Sequence, residues 1–223
     1  MAGDPWSLKD AKNLREDELD GLFKAAKKAG PQAYLMIILS YNGALRVSEL
    51  VHIRVSDFHW PTNKISMIPL KKAGKRRKRG ADGKMVQIDR DLPRPIEYPL
   101  ASNVMDLARE YIKKERLHPE AWLFPGKTTK AGCKVVKLNC PGGHICKRKV
   151  QNTFDAIAME AKIKVPGRGI HSLKHARLTE VAKKTKDPYF VKEVGRHSSI
   201  TMSDHYVKYA DFQDRIEKLG GRT

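Results

Sequence analysis

Between Ile170 and Tyr209 the chain places His171, Lys174, Arg177 and His197 upstream of one tyrosine, Tyr206. A fold that makes use of these residues must bring two helical segments and a turn around a single phenol. The tyrosine hydroxyl has an ordinary pKa of about 10, so at neutral pH it attacks only where neighbours take its proton or stabilise the anion. Imidazoles and cations near it can do both, which points to a phosphate-centred site with a phenol as nucleophile.

Charge narrows the partner. Lys and Arg number 44 against 25 Asp and Glu, a formal net charge of +19 over 223 residues. Such an excess repels itself in isolation and calls for a polyanion, with nucleic acid the first candidate. The apolar content of 40% suffices for a packed core, and the length fits one domain of ordinary size. No apolar run approaches the roughly 18 residues of a membrane-spanning helix, and no signal-peptide pattern opens the chain. A membrane partner is not expected, and the expected location is cytoplasmic or nucleoid-associated. Met1 to Ser7 is read as a remnant of cloning and left out of the fold.

Hydrophobic spacing predicts helices over Leu8 to Lys28, Ala33 to Tyr41, Ala44 to Ile53, Val104 to Glu115, Arg148 to Ala161, His171 to Lys184, Tyr189 to Val194 and Met202 to Tyr209. Arg46 then falls at a helix start, where backbone N–H groups favour an anion. Val55 to Trp60, Lys64 to Pro69 and Gln87 to Leu100 read as strands, with Pro61-Thr62-Asn63 the clearest turn. The fold class is therefore mainly α with a small antiparallel β-sheet.

Lys71 to Lys84 is dominated by Lys and Arg and lies between two strands, a position suited to tracking a DNA backbone. Lys71, Lys75, Arg76 and Arg77 are its DNA-contact candidates. Trp122-Leu123-Phe124-Pro125 is an apolar anchor expected to pack rather than stack on bases. Cys133, Cys140 and Cys146 share a short window with His144, a ligand set zinc accepts. Their spacing matches no common zinc motif, so reduced cysteines in an irregular loop are the default and no metal is assigned.

Three pieces in order resemble the tyrosine recombinases, also called phage-type integrases. NGALRVSEL (Asn42 to Leu50) resembles the family's first arginine motif, GIHSLKH (Gly169 to His175) its His-x-x-Arg-His motif, and RHSSITMSDHY (Arg196 to Tyr206) its Gly-His-Ser-Ser to Tyr motif. The resemblance implies the catalytic-domain fold of that family and cleavage of one DNA strand at a time. The tyrosine attacks the scissile phosphorus, a 3′-phosphotyrosyl bond forms, and a 5′-hydroxyl is freed to rejoin a partner strand. No metal, nucleotide or other cofactor is implied.

Carried over by position, Tyr206 is the nucleophile and Arg46 the first arginine, holding a non-bridging phosphate oxygen. His197 hydrogen-bonds the phosphate and His171 takes the tyrosine's proton. The hairpin lysine that protonates the leaving oxygen falls on Lys72, with Lys71 and Lys75 as competitors. The implied partner is double-stranded DNA at attachment sites, bound by a homotetramer. A prokaryotic host follows, with the gene carried by a virus, a plasmid or another mobile element, and an archaeal virus branch is one alternative.

Three departures stand out. Lys174 replaces the second arginine, keeping the charge and losing the bidentate fork. Arg177, one helical turn on, is a candidate replacement, and an alternative alignment as Lys174-x-x-Arg177 resembles a variant among archaeal virus integrases. Arg196 stands where a glycine usually precedes the histidine, and it joins the DNA-contact candidates. The first arginine motif begins at residue 42, which leaves no room for the separate N-terminal core-binding domain of most relatives. The expected organisation is a catalytic domain over residues 8–210 and a tail over residues 211–223, in which Phe212, Ile216 and Leu219 form a stripe suited to exchange between protomers. Two other readings keep the same residues: a DNA-binding module of this fold with impaired chemistry, and a relaxing type IB topoisomerase. An unrelated basic RNA-binding protein is the bland reading.

Overall fold

The computed structural model describes residues 14–67, 76–79, 85–88, 95–126 and 143–218. Helix α1, Glu16–Ala29, opens with Glu16, Asp17 and Glu18 and closes with Lys27 and Lys28, charges that complement the helix dipole at both ends. It buries Leu19, Leu22, Ala25 and Ala26 along one face. Gly30, at φ +114°, turns the chain in a region that glycine enters without strain, and Pro31 starts α2, Pro31–Asn42.

Helix α2 is apolar nearly all round, with Leu35, Met36, Ile37 and Leu39 almost inaccessible. Such a helix belongs at the centre of a core. It packs against α1, α4 (Ser102–Lys114), α5 (Lys147–Glu160) and α6 (His171–Thr185). Short α7, Pro188–Gly195, and long α8, Ile200–Lys218, pack on each other and on α6. This is a mostly helical fold with a small antiparallel sheet, as the residue pattern predicts.

The sheet has three strands in the order β1 (Phe58–His59), β2 (Lys64–Met67) and β5 (Ile96–Pro99). Ile65 lies opposite both Phe58 and Tyr98, and these three side chains are buried. A separate antiparallel pair joins β3, Arg76–Arg79, to β4, Met85–Ile88. The predicted single strand from Gln87 to Leu100 is thus two strands in two sheets. Lys71, Lys72 and Lys75 lie outside the described residues, and of Arg76 and Arg77 only the β3 backbone is described.

The predicted helix from Ala44 to Ile53 shrinks to one turn, α3, Val47–Leu50. Ala44 takes a positive φ of 44° in a turn where its N–H reaches Tyr41 and that of Leu45 reaches Ser40. Beyond α3 the chain extends to pair with a distant segment: the N–H of Leu123 donates to Ile53 and that of Val55 to Ala121. Leu123 and Phe124 are fully buried, so the apolar anchor packs. Trp122 lies beneath the Arg54 guanidinium at 4.2 Å.

Helix α8 runs unbroken through Tyr206 to Lys218, so the expected boundary at residue 210 falls inside a helix. Lys186 forms ion pairs with Asp211 and Asp214, fastening that helix to its own domain. Phe212 is 57% exposed. The side chain of Ile216, and Leu219 altogether, lie outside the described residues. Among the described residues no helix is long and apolar enough to cross a membrane.

Phe154 sits fully buried on α5, so Phe154→Ala is expected to cost about 3–5 kcal/mol through lost transfer energy and a cavity. Met159 on the same helix is 64% exposed, and Met159→Ala should stay within about 0.5 kcal/mol. Urea denaturation of the two variants measures the difference.

Candidate active site

A cavity of about 790 Å³ opens where the start of α3 meets α5, α6 and α8, lined by Arg46, Gln151, His171, Lys174, His175, His197 and Tyr206 among others. The three sequence motifs therefore converge on one place. Tyr206 lies between two imidazoles, with ring centroids 5.9 Å from His175 and 5.8 Å from His197 and near-parallel planes. Its hydroxyl is 2.6 Å from His175 Nδ1. His171, one helical turn earlier, makes no hydrogen bond to that hydroxyl among the described residues.

Arg46 is the N-cap of α3. The anion at that helix start belongs to the protein itself, because Glu49 accepts the Arg46 backbone N–H at 2.8 Å and its guanidinium at 2.9 Å. The Glu49 side chain is 1% exposed and also receives Arg196 at 3.1 Å. Burial alone would raise its carboxyl. The charge of Arg196, the Arg46 N–H, Lys174 and Arg46 outweigh that and hold it below the usual carboxylate range.

Arg196 departs from its expected role as a DNA contact. It adopts left-handed backbone, φ 52° and ψ 45°, the conformation in which glycine is the natural occupant. Its guanidinium turns inward and donates to Gly43 at 2.9 Å and Ala44 at 2.6 Å, and it lies over the Tyr98 ring. With a side-chain exposure of 5% it cannot reach a duplex in this arrangement.

Lys174 is equally internal, at 6% exposure. Its Nζ donates to Ala44 at 3.0 Å and to Gly195 at 2.7 Å, so it ties the turn of the first motif to the end of α7. Arg177 faces elsewhere. It pairs with Glu180 at 2.6 Å, a carboxylate that also accepts the Tyr41 hydroxyl, and it lines a separate cavity between β5 and α7. The structure therefore does not bring Arg177 into the second arginine's place.

His197 is 7% exposed, with Nδ1 2.9 Å from Ser203 Oγ. Burial, then the charges of Lys174, Arg46, His175 and Arg196, push its pKa down to about 4, so the ring is neutral at physiological pH. Gly195 makes room for it, since a Cβ there would lie 2.8 Å from the ring. His171 is also held below the ordinary histidine value, by burial and then by Lys174 and Arg46. Burial lifts the Tyr206 phenol to about 12, against the pull of Arg46.

His175 and Glu49 are the functional candidates that the sequence reading passes over. Both were signalled in the sequence: His175 closes the GIHSLKH motif four residues after His171, on the same helix face, and Glu49 follows the N-cap Arg46 by three, the spacing of a capping box. Of the zinc candidates, Cys146 is exposed at the N-cap of α5, and His144 packs its ring 4.5 Å from that of His52. Cys133 and Cys140 lie outside the described residues. Among the described residues no group of three or more His, Cys, Asp or Glu is gathered for a metal.

The model of the phage integrase family matches residues 12–212. No match emerges among curated protein sequences. Among solved structures, XerA recombinase aligns at TM-score 0.66 and 17% identity, over 95% of this chain and 64% of that one. XerH site-specific recombinase, in a post-cleavage complex with its palindromic difH substrate, aligns at 0.64 and 18%, over 93% and 52%. The Tn1549 transposon integrase with transposon right end DNA aligns at 0.64 and 14%, over 94% and 66%. The chain thus spans between about half and two thirds of these proteins, and identities this low establish likeness of fold.

Glu49 is the carboxylate shared by the buried guanidinium groups of Arg46 and Arg196, so Glu49→Ala is expected to cost about 3–5 kcal/mol, and Arg196→Ala less, because Glu49 keeps Arg46. Arg196→Gly should be milder than Arg196→Ala by about 1 kcal/mol, because glycine removes the left-handed strain. The depressed Glu49 carboxyl contributes stability above its unfolded value of about 4.3, lost as pH falls through the lower folded value. Denaturation midpoints measured from pH 6 downward should therefore fall less steeply in Glu49→Gln than in the unaltered protein.

Proposed function

The chain belongs to the phage integrase family, and from that premise we propose that it cuts and rejoins DNA strands through a 3′-phosphotyrosyl link on Tyr206. The observation that carries this reading is the placement of the Tyr206 hydroxyl in a cavity that also receives Arg46, Lys174 and His197. A phenol, a fixed guanidinium and neutral imidazoles are the groups that an in-line attack on a phosphodiester calls for.

In this mechanism Arg46 binds a non-bridging oxygen of the scissile phosphate. Glu49 fixes the guanidinium in advance, so little reorganisation accompanies the charge that develops in the transition state, and one such donor contributes about 3–4 kcal/mol. His197, neutral and held by Ser203, hydrogen-bonds a second oxygen. Lys174 adds charge from below. The leaving 5′-oxygen takes its proton from a lysine of the basic segment, Lys72 or its neighbours Lys71 and Lys75. The phosphotyrosyl ester conserves the bond energy for rejoining, so the cycle needs no nucleotide hydrolysis.

The partner is double-stranded DNA at an attachment site, engaged by a homotetramer. The net charge of +19 supplies affinity for the backbone, with observed binding falling steeply as salt rises. The solved XerH and Tn1549 proteins are complexed with DNA, which supports the same ligand class here.

Lys174 favours a second reading, a DNA-binding module with weakened chemistry. Two of its donors are spent on backbone carbonyls, and lysine has no fork to grip two phosphate oxygens. A nicked suicide substrate separates the readings. The unaltered protein should form a covalent adduct that maps to Tyr206 by mass spectrometry, and Tyr206→Phe should abolish it with DNA affinity unchanged. Salt-dependent binding with no adduct from the unaltered protein, and an adduct from Lys174→Arg combined with Arg196→Gly, would support the binding module instead.

A further inference from the structure

We propose that His175, rather than His171, takes the proton of Tyr206 as the tyrosine oxygen attacks, and returns it when the strand is rejoined. The inference rests on the reading of Tyr206 as nucleophile and adds the identity of its base. Geometry is the first requirement for a general base, which must lie within about 2.6–3.2 Å of the proton it accepts. His175 Nδ1 is 2.6 Å from the Tyr206 oxygen, and the two rings are tilted by only 25°. Both side chains project from long helices, α6 of 15 residues and α8 of 19, so the contact is held by rigid elements.

The other imidazoles are less suited. His197 packs on the same phenol, but its Nδ1 is turned to Ser203 and its buried ring binds a proton weakly. His171 lines the cavity without touching the hydroxyl. A base is needed because burial keeps the phenol protonated at neutral pH.

The step balances as follows. A lone pair on the Tyr206 oxygen forms the bond to phosphorus while the O–H proton passes to His175 Nδ1, giving an imidazolium. The phosphorus to 5′-oxygen bond breaks with its electron pair on that oxygen, which is protonated by the lysine acid. In rejoining, the 5′-hydroxyl attacks phosphorus and gives its proton back to the now neutral lysine, the phosphorus to tyrosine-oxygen bond breaks with its electron pair on the phenolate, and His175 returns the proton to it. The imidazolium also faces the negative phosphodiester during the covalent stage, which favours the intermediate electrostatically.

Single-turnover cleavage of a nicked suicide substrate tests this with His175→Ala, His171→Ala and a protein carrying 3,5-difluorotyrosine at position 206. Loss of a general base should slow cleavage by about 10²–10⁴-fold in His175→Ala, a larger loss than in His171→Ala. Difluorotyrosine, whose phenol ionises far more readily, should restore most of the rate lost in His175→Ala and none of that lost in Arg46→Ala. Equal cleavage by His175→Ala and the unaltered protein would overturn the assignment. So would a larger loss in His171→Ala, or no recovery with difluorotyrosine. Absence of any adduct from the unaltered protein would instead sink the nucleophile assignment, and this base with it.

Discussion

The carbonyl of Ala44 is where the site is tied together. It accepts Lys174 from α6 and Arg196 from the end of α7, while the neighbouring Gly43 carbonyl takes a second bond from Arg196. Residues more than 120 positions apart in the chain thereby meet on one tight turn. The turn itself requires Ala44 at positive φ, a conformation costing about 1 kcal/mol for a side chain with a Cβ. Two buried cations on adjacent carbonyls offset that cost, and they need an anion close by. Glu49, buried between Arg46 and Arg196, provides it. Without Glu49 the three cations would be desolvated and mutually repelling, and each would be driven toward solvent.

That arrangement sets the electrostatics of the cavity above it. Burial first, and then Lys174 and Arg46, lower the proton affinity of both His171 and His197, so these imidazoles are held toward the neutral form. The cavity's positive character comes from cations held by backbone and carboxylate, and its rings can donate or accept without first losing a proton. An anion entering such a cavity meets charge already positioned, which is worth more than the same charge on mobile side chains. Tyr206 shares the environment from the opposite direction: burial disfavours its phenolate, and only Arg46 pulls the other way. The result is a phenol that stays protonated until a neighbour takes its proton.

Much of this was legible in the residues. Long helices with one apolar face, such as α1 and α5, follow from spacing because burial of that face dominates their energetics. The three motifs converge as their order implies. What escaped was set by distant partners. Ala44 to Ile53 looks helical locally, yet residues 53–55 leave the helix to pair with residues 121–123. Gln87 to Leu100 reads as one apolar strand, and it splits because β4 pairs with β3 while β5 pairs with β2. Arg196 reads as a surface arginine on a basic protein; only Glu49, 147 positions away, shows why the side chain turns inward. Arg177 met its ordinary fate on a helix, an ion pair at i+3 with Glu180.

Arg196 and Lys174 depart from the family pattern in a related way. A glycine at position 196 would enter left-handed backbone freely and contribute no charge. Arginine there carries strain but delivers a guanidinium to the two carbonyls of the 43–44 turn and to Glu49. An arginine at position 174 would have to place its wider fork in the space where Lys174 already contacts Ala44, beside that guanidinium. The two substitutions are thus coupled through one carbonyl oxygen: a compact ammonium at 174 leaves room for the planar group from 196. Restoring arginine at 174 alone would crowd a second guanidinium against the first, whereas glycine at 196 would clear the space for it. What Lys174 can offer the cavity is therefore a property of the pair, and the energies of the two positions should not add.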